Sequence, residues 1–156
     1  MNRVRLIGGD DLSSILVIQR ACYSPALNES EAVIRQRLAS APDTCWIAES
    51  DSMPIGYLFS YGSTVGRVTP LGGSFLVATL PDCLYLHDLA IVPEARGAGA
   101  ATAILEAARR WAMARCIVDV ALVSVGNTQA YWLRRGFIEA GTVTPAACTH
   151  SATKCR

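Results

Sequence analysis

The chain has 156 residues, 51% of them hydrophobic and 17% charged, and carries a net charge of +1. That length holds one domain with a full core, and the composition excludes a disordered chain. No basic stripe interleaved with aromatics supports nucleic-acid binding, and no apolar run is long enough to span a membrane.

Val4 to Ile7 reads as a first strand, followed at once by the polar run Gly8-Gly9-Asp10-Asp11. That apolar stretch is too short for a signal peptide, so the expectation is a cytoplasmic protein with a single domain over 1–156. Asp10 or Asp11 caps a helix running to about Cys22, and Ser24-Pro25 breaks it. Asn28 or Ser30 caps a second helix with Val33, Ile34 and Leu38 on its inner face, ending before Pro42. Cys45 to Glu49 and Ile55 to Tyr61 form a hairpin around Asp51-Ser52. Gly62 to Pro81 holds four glycines and two prolines and reads as a long functional loop. Leu84 to Val92 is a fourth strand, Gly99 to Ala114 a third helix and Ile117 to Val125 a fifth strand. Thr128 to Arg135 is a short helix that Asn127 caps, Gly136-Phe137 starts a sixth strand, and a seventh lies around Ala147 to Thr153. The order is that of a mixed α/β fold, with a right-handed parallel crossover between the fourth and fifth strands.

Six cysteines are present, none in C-x-x-C spacing, and only His87 and His150 could join them around a metal. The expectation is free thiols used as small core residues, with no metal.

The most informative stretch runs from Leu84 to Ala103. A Leu/Ile/Val-rich strand is stopped by Val92-Pro93, then come Arg96, Gly97, Ala98, Gly99, Ala100 and Ala101, then a helical pattern. Small side chains let a ligand approach backbone N–H groups, and a helix N-terminus adds about half a positive charge. A P-loop would need Lys followed by Ser or Thr, which is missing, and Thr102 stands where a dinucleotide fingerprint needs a small residue. Arg96-x-x-Gly99-x-Ala101 resembles the acyl-CoA loop, R/Q-x-x-G-x-G/A, of the GNAT (GCN5-related N-acetyltransferase) superfamily.

The resemblance implies a GNAT-like fold, a central mixed seven-stranded sheet with about four helices on its two faces. It implies acetyl-CoA as cosubstrate, with pyrophosphate on the N–H groups of Gly97 to Ala101 and the pantetheine arm along Leu89, Ala90 and Ile91 in a splay between the fourth and fifth strands. Asn127 would also touch the cofactor. The acceptor would be the amine of a small molecule, attacking the thioester directly. The resemblance also admits a homodimer. Many members carry a tyrosine four residues before Gly-Phe, read as the acid for the leaving thiolate. Here Gly136-Phe137 matches, but that position is Trp132, and Tyr131 is its neighbour. An indole N–H supplies no proton, so either Tyr131 reaches the thiolate by a shift in helix phase or no protein acid is needed, and Trp132 is expected to wall the acyl pocket.

Period two places Tyr85 and His87 on one face of the fourth strand, with Asp88 turned away towards an arginine. An amine arrives as ammonium and must lose a proton, and histidine suits that task. The arylalkylamine (serotonin) N-acetyltransferase branch has two histidines here, the second nine residues before the loop arginine, as His87 is before Arg96. The resemblance makes His87 the general base and gives Tyr85 a place on a water path or substrate wall. It suggests an aromatic amine, as do Trp46, Tyr57 and Tyr61, which serve equally as core. Two other readings stay open. One is a non-catalytic acyl-CoA-binding or sensor module, and the other is an acetyltransferase acting on a protein amine.

Overall fold

The computed structural model describes residues 1–143 and 150–155; for 142–143 and 150–155 it describes the backbone alone. In chain order the elements are β1 (Arg3–Leu6), α1 (Leu12–Cys22), α2 (Glu31–Ser40), β2 (Cys45–Ser50), β3 (Met53–Ser63) and β4 (Cys83–Ile91). Then follow α3 (Ala100–Met113), β5 (Asp119–Ser124), α4 (Gln129–Arg134), β6 (Ile138–Val143) and β7 (His150–Cys155). The expected seventh strand around Ala147 to Thr153 falls partly on 144–149, outside the described residues.

β1 to β4 pair antiparallel in sequence order, and β5 adds parallel to β4, with α3 as the crossover. These five strands carry the core and the site. Beyond β5 the order continues with β7 and then β6. The organisation is mixed α/β with four α-helices.

Side-chain alternation splits the core into two layers. From β3, Tyr57, Phe59 and Tyr61 face α1 and α2, where Ile15, Ile18 and Ile34 meet them. Leu58 faces the other way, with Leu84, Leu86 and the α3 residues Ile104, Ala108 and Ala112. Burying each large aliphatic side chain contributes about 1.5–3 kcal/mol. Trp46, Tyr57 and Tyr61 are all buried in these layers, so none forms the aromatic acceptor wall considered above.

Helix starts follow the sequence in one case and depart in another. Ser30 caps α2 by accepting from the Val33 amide at 3.3 Å. Asn127 does not cap α4: the N-cap position is Thr128, and its side chain makes no cap bond. Cys22, Cys45 and Cys116 are free thiols.

Two irregularities in β4 shape the site. Phe59 pairs with Asp88 and Ser60 with Leu86, so His87 is an extra residue, a β-bulge. Pairing with β5 ends at Leu86–Leu122, leaving 87–91 without a neighbour on that side. Behind this free segment lies Gly56 of β3, where a Cβ would meet Ile91 Cδ1 at 2.3 Å and the Ala90 carbonyl oxygen at 2.7 Å. Gly56→Ala is therefore expected to cost about 1–3 kcal/mol, because backbone must shift to admit it. The measurement is the urea midpoint, and an unchanged midpoint would show that β4 yields freely there.

Candidate active site

Where β4 and β5 part, a cavity of about 710 Å³ opens. One wall is β4 from Leu86 to Ile91, and its floor is the turn into α3. Opposite stand Val123, Asn127, Tyr131 and Trp132. Of the residues singled out from the sequence, His87, Leu89, Ala90, Ile91, Arg96, Gly97, Gly99, Ala100 and Ala101 line it. Ala98 and Tyr85 do not. The Ala98 carbonyl accepts from Asn2 Nδ2 at 2.8 Å, and Tyr85 is buried in the core at 4% exposure.

The β4 wall is an open ladder edge. Val92 N donates to Ile55 O of β3 at 2.9 Å. In an antiparallel ladder successive residues turn their polar groups to opposite sides. Leu89 and Ile91 therefore aim theirs at the cavity. Their carbonyls confirm it. Leu89 O accepts from the Tyr23 hydroxyl at 3.2 Å, and Ile91 O accepts from Arg96 Nε at 3.1 Å and Cys22 Sγ at 3.3 Å.

The floor is a cradle of backbone amides. Gly97 and Gly99 adopt φ of +80° and +84°, a left-handed conformation that only glycine enters without strain. The first amides of α3 have no partner within the helix. A Cβ built on Gly97 would meet nothing, and one on Gly99 only Asn2 Nδ2 at 4.0 Å, so backbone shape and not crowding within the chain calls for these glycines. Arg96 and Arg135 add positive charge to the rim. An anionic group with an extended amide-bearing arm fits this floor and wall together.

Behind His87 lies a group of charges that sequence reasoning missed. His87 Nε2 is 3.4 Å from Glu29 Oε1, and Arg37 Nη1 bonds the same oxygen. Glu29 Oε2 accepts from the Gly72 amide at 2.9 Å, and Arg37 Nε and Nη2 donate to Gly73 O at 3.1 and 2.9 Å. The side chains of Glu29 and Arg37 are only 5% and 2% exposed. Phe75 packs edge-on against His87 and under the Arg37 guanidinium. The 62–81 segment is thus held against His87 and its partners at Gly72, Gly73 and Phe75. Burial alone would raise the Glu29 carboxyl, but the bonds from His87 and Arg37 outweigh it and hold it at about 2. The signal in the sequence was slight. Arg37 follows Ile34 by three residues, a charge on the inner face of an amphipathic helix.

Among the described residues Asp88 pairs with no arginine. The bulge at His87 breaks the alternation and turns Asp88 towards α1, where Tyr23 and Tyr57 hydroxyls donate to it at 2.6 and 2.8 Å. Burial pushes its carboxyl up against the pull of those hydroxyls. Across the cavity Trp132 is buried between Tyr131 and Phe137, while the Tyr131 ring lies under the Arg135 guanidinium. No partner holds the Tyr131 hydroxyl among the described residues.

The model of the acetyltransferase (GNAT) family matches residues 12–137. In three dimensions the chain is similar to the loading GNATL domain of CurA from Lyngbya majuscula, at 15% identity and a TM-score of 0.83, over 99% of this chain and 97% of that one. It is similar to the PaiA N-acetyltransferase from Thermoplasma acidophilum in complex with coenzyme A, at 13% and 0.75, over 100% and 99%. It is also similar to the ribosomal-protein-S18-alanine N-acetyltransferase from Escherichia coli, at 15% and 0.70, over 99% and 91%. No curated protein matches the sequence. At such identities the likeness is one of fold.

The Glu29 carboxyl links this cluster to acid stability. Its pKa lies below the ordinary 4.5, so its contribution is full above pH 4.5 and fades as pH falls towards 2. Unfolding free energy measured against pH should decline across that window, and Glu29→Gln should flatten the decline. A mutant with the wild-type acid limb would assign the loss to other carboxylates, such as Asp11 beside Arg5.

Proposed function

The chain belongs to the GNAT acetyltransferase family, and from that premise we propose that it moves the acetyl group of acetyl-CoA to the primary amine of a small molecule, with His87 as general base. Acyl-CoA-dependent acyl transfer is what the family does. The observation that carries the reading is the free β4 edge running straight into the amide cradle.

The residues then divide the work. Amides of Gly97 to Ala101, with Arg96 and Arg135 nearby, hold the pyrophosphate. Leu89 and Ile91 bond the pantetheine arm as an added strand. His87 takes the ammonium proton, and the free amine attacks the thioester carbon. The Leu89 N–H meets charge developing on the carbonyl oxygen. A thiol of pKa about 8.5 leaves without strong need of an acid, so Tyr131 is dispensable here and Trp132 is a wall. The narrower likeness to the arylalkylamine branch rests on the spacing of His87 from Arg96, since the three aromatic candidates lie in the core.

The test begins with binding. Acetyl-CoA should bind the wild type, and Gly99→Ala should weaken binding about tenfold or more, because alanine strains a left-handed position and occupies ligand space. Equal affinity in a folded mutant would remove the cradle from the argument. Turnover across an amine panel, followed by release of free thiol, then separates an enzyme from an acyl-CoA-binding module. Binding without turnover on any amine would favour the module. On the best amine, His87→Gln should lower kcat/KM by about 10²-fold at neutral pH and by less at high pH, where free amine is abundant. A wild-type pH–rate profile in that mutant would make His87 structural.

A further inference from the structure

We propose that Glu29 is a positioning residue for His87: its carboxylate fixes the ring with the proton on Nε2 and leaves Nδ1 as the basic nitrogen, while Arg37 holds that carboxylate in place. The inference rests on His87 being the base. It names a part of the machinery 58 residues away in sequence.

An ionised carboxylate only accepts hydrogen bonds. Glu29 Oε1 takes the Arg37 guanidinium and faces His87 Nε2, and Oε2 takes the Gly72 amide. In the neutral imidazole the nitrogen facing Glu29 must therefore carry the hydrogen. Nδ1, with no partner among the described residues, keeps its lone pair on a ring that lines the cavity. The 3.4 Å separation is long for a hydrogen bond, and such bonds tighten when the ring becomes charged.

Arg37 has a second effect. A lone buried carboxylate beside His87 would hold the imidazolium so firmly that its proton would be released slowly. Arg37 neutralises part of that field, so the Glu29–Arg37 pair orients the ring without trapping the proton. The groups facing His87 come from every neighbouring element. Glu29 precedes α2, Arg37 lies in α2, Tyr85 and Asp88 lie in β4, and Phe75 of the long loop is uncharged. Asp88 is occupied by two tyrosine hydroxyls, which leaves Glu29 as the carboxylate that meets the ring.

The experiment reads the ring itself. The chain has two histidines, so nitrogen NMR of the labelled wild type resolves them, with His87→Gln as the assignment control. The expected result is a single Nε2–H tautomer for His87. A ring protonated on Nδ1, or a mixture, overturns the proposal without any mutant at Glu29. In Glu29→Gln the tautomer should become mixed. With the best amine, kcat should fall about tenfold while the KM for acetyl-CoA holds. Unchanged kcat and an unchanged tautomer would leave Glu29 a structural residue. Should His87→Gln prove fully active, the base reading falls separately, and the tautomer measurement tells the two failures apart.

Discussion

The parting of β4 from β5 is the constraint on which the rest of the molecule depends. Two parallel strands share their hydrogen bonds only as far as Leu86 and Leu122. Beyond that point Leu89 and Ile91 keep polar groups that no strand among the described residues satisfies. Unpaired ladder groups inside a fold are costly unless something meets them. Here Tyr23, Cys22 and Arg96 meet the carbonyls in part. The gap persists because each strand is anchored elsewhere, β4 along the length of β3 and β5 by β7.

A second constraint works behind the first. The bulge at His87 places two successive polar residues towards the α1–α2 face, and each needs its own partners there. Asp88 finds two tyrosine hydroxyls, and His87 finds Glu29. Glu29 is itself held at both ends, since Gln19 pairs with its backbone N–H and carbonyl at 2.9 Å each. The segment between α1 and α2, the long loop and the centre of β4 thus converge on one carboxylate. Breaking a buried pair by removing one partner typically costs about 3–5 kcal/mol, so this knot resists piecemeal change.

The parts of the site that were legible in the sequence are local. Strand, proline, arginine and small residues lie within twenty positions, and their spacing reports a backbone shape directly. The free edge at Leu89 and Ile91 was expected only through the family resemblance which that stretch carries. What escaped depends on contacts distant in sequence. Glu29 and Arg37 look like ordinary surface charges of a helical segment until the fold brings His87, Gly72 and Gly73 around them. Asp88 was misplaced because strict alternation was carried through a residue that has no partner opposite it. Trp46, Tyr57 and Tyr61 offered a substrate wall only while the depth of the core was unknown. Asn127 lost its capping role by one position, a shift that composition does not reveal.

The cradle before α3 is made of main-chain groups, and that has an evolutionary consequence. Every residue type presents the same amide, so the shape of the cradle is indifferent to most substitutions in the loop, provided the left-handed turns at Gly97 and Gly99 survive. The open ladder edge at Leu89 and Ile91 is equally blind to side-chain identity. A lineage built this way can replace nearly all its side chains and retarget its acceptor while its donor half goes on working. Chains sharing 13–15% of their residues with this one still superpose on it at TM-scores of 0.70–0.83, so the fold outlasts nearly all of its side chains.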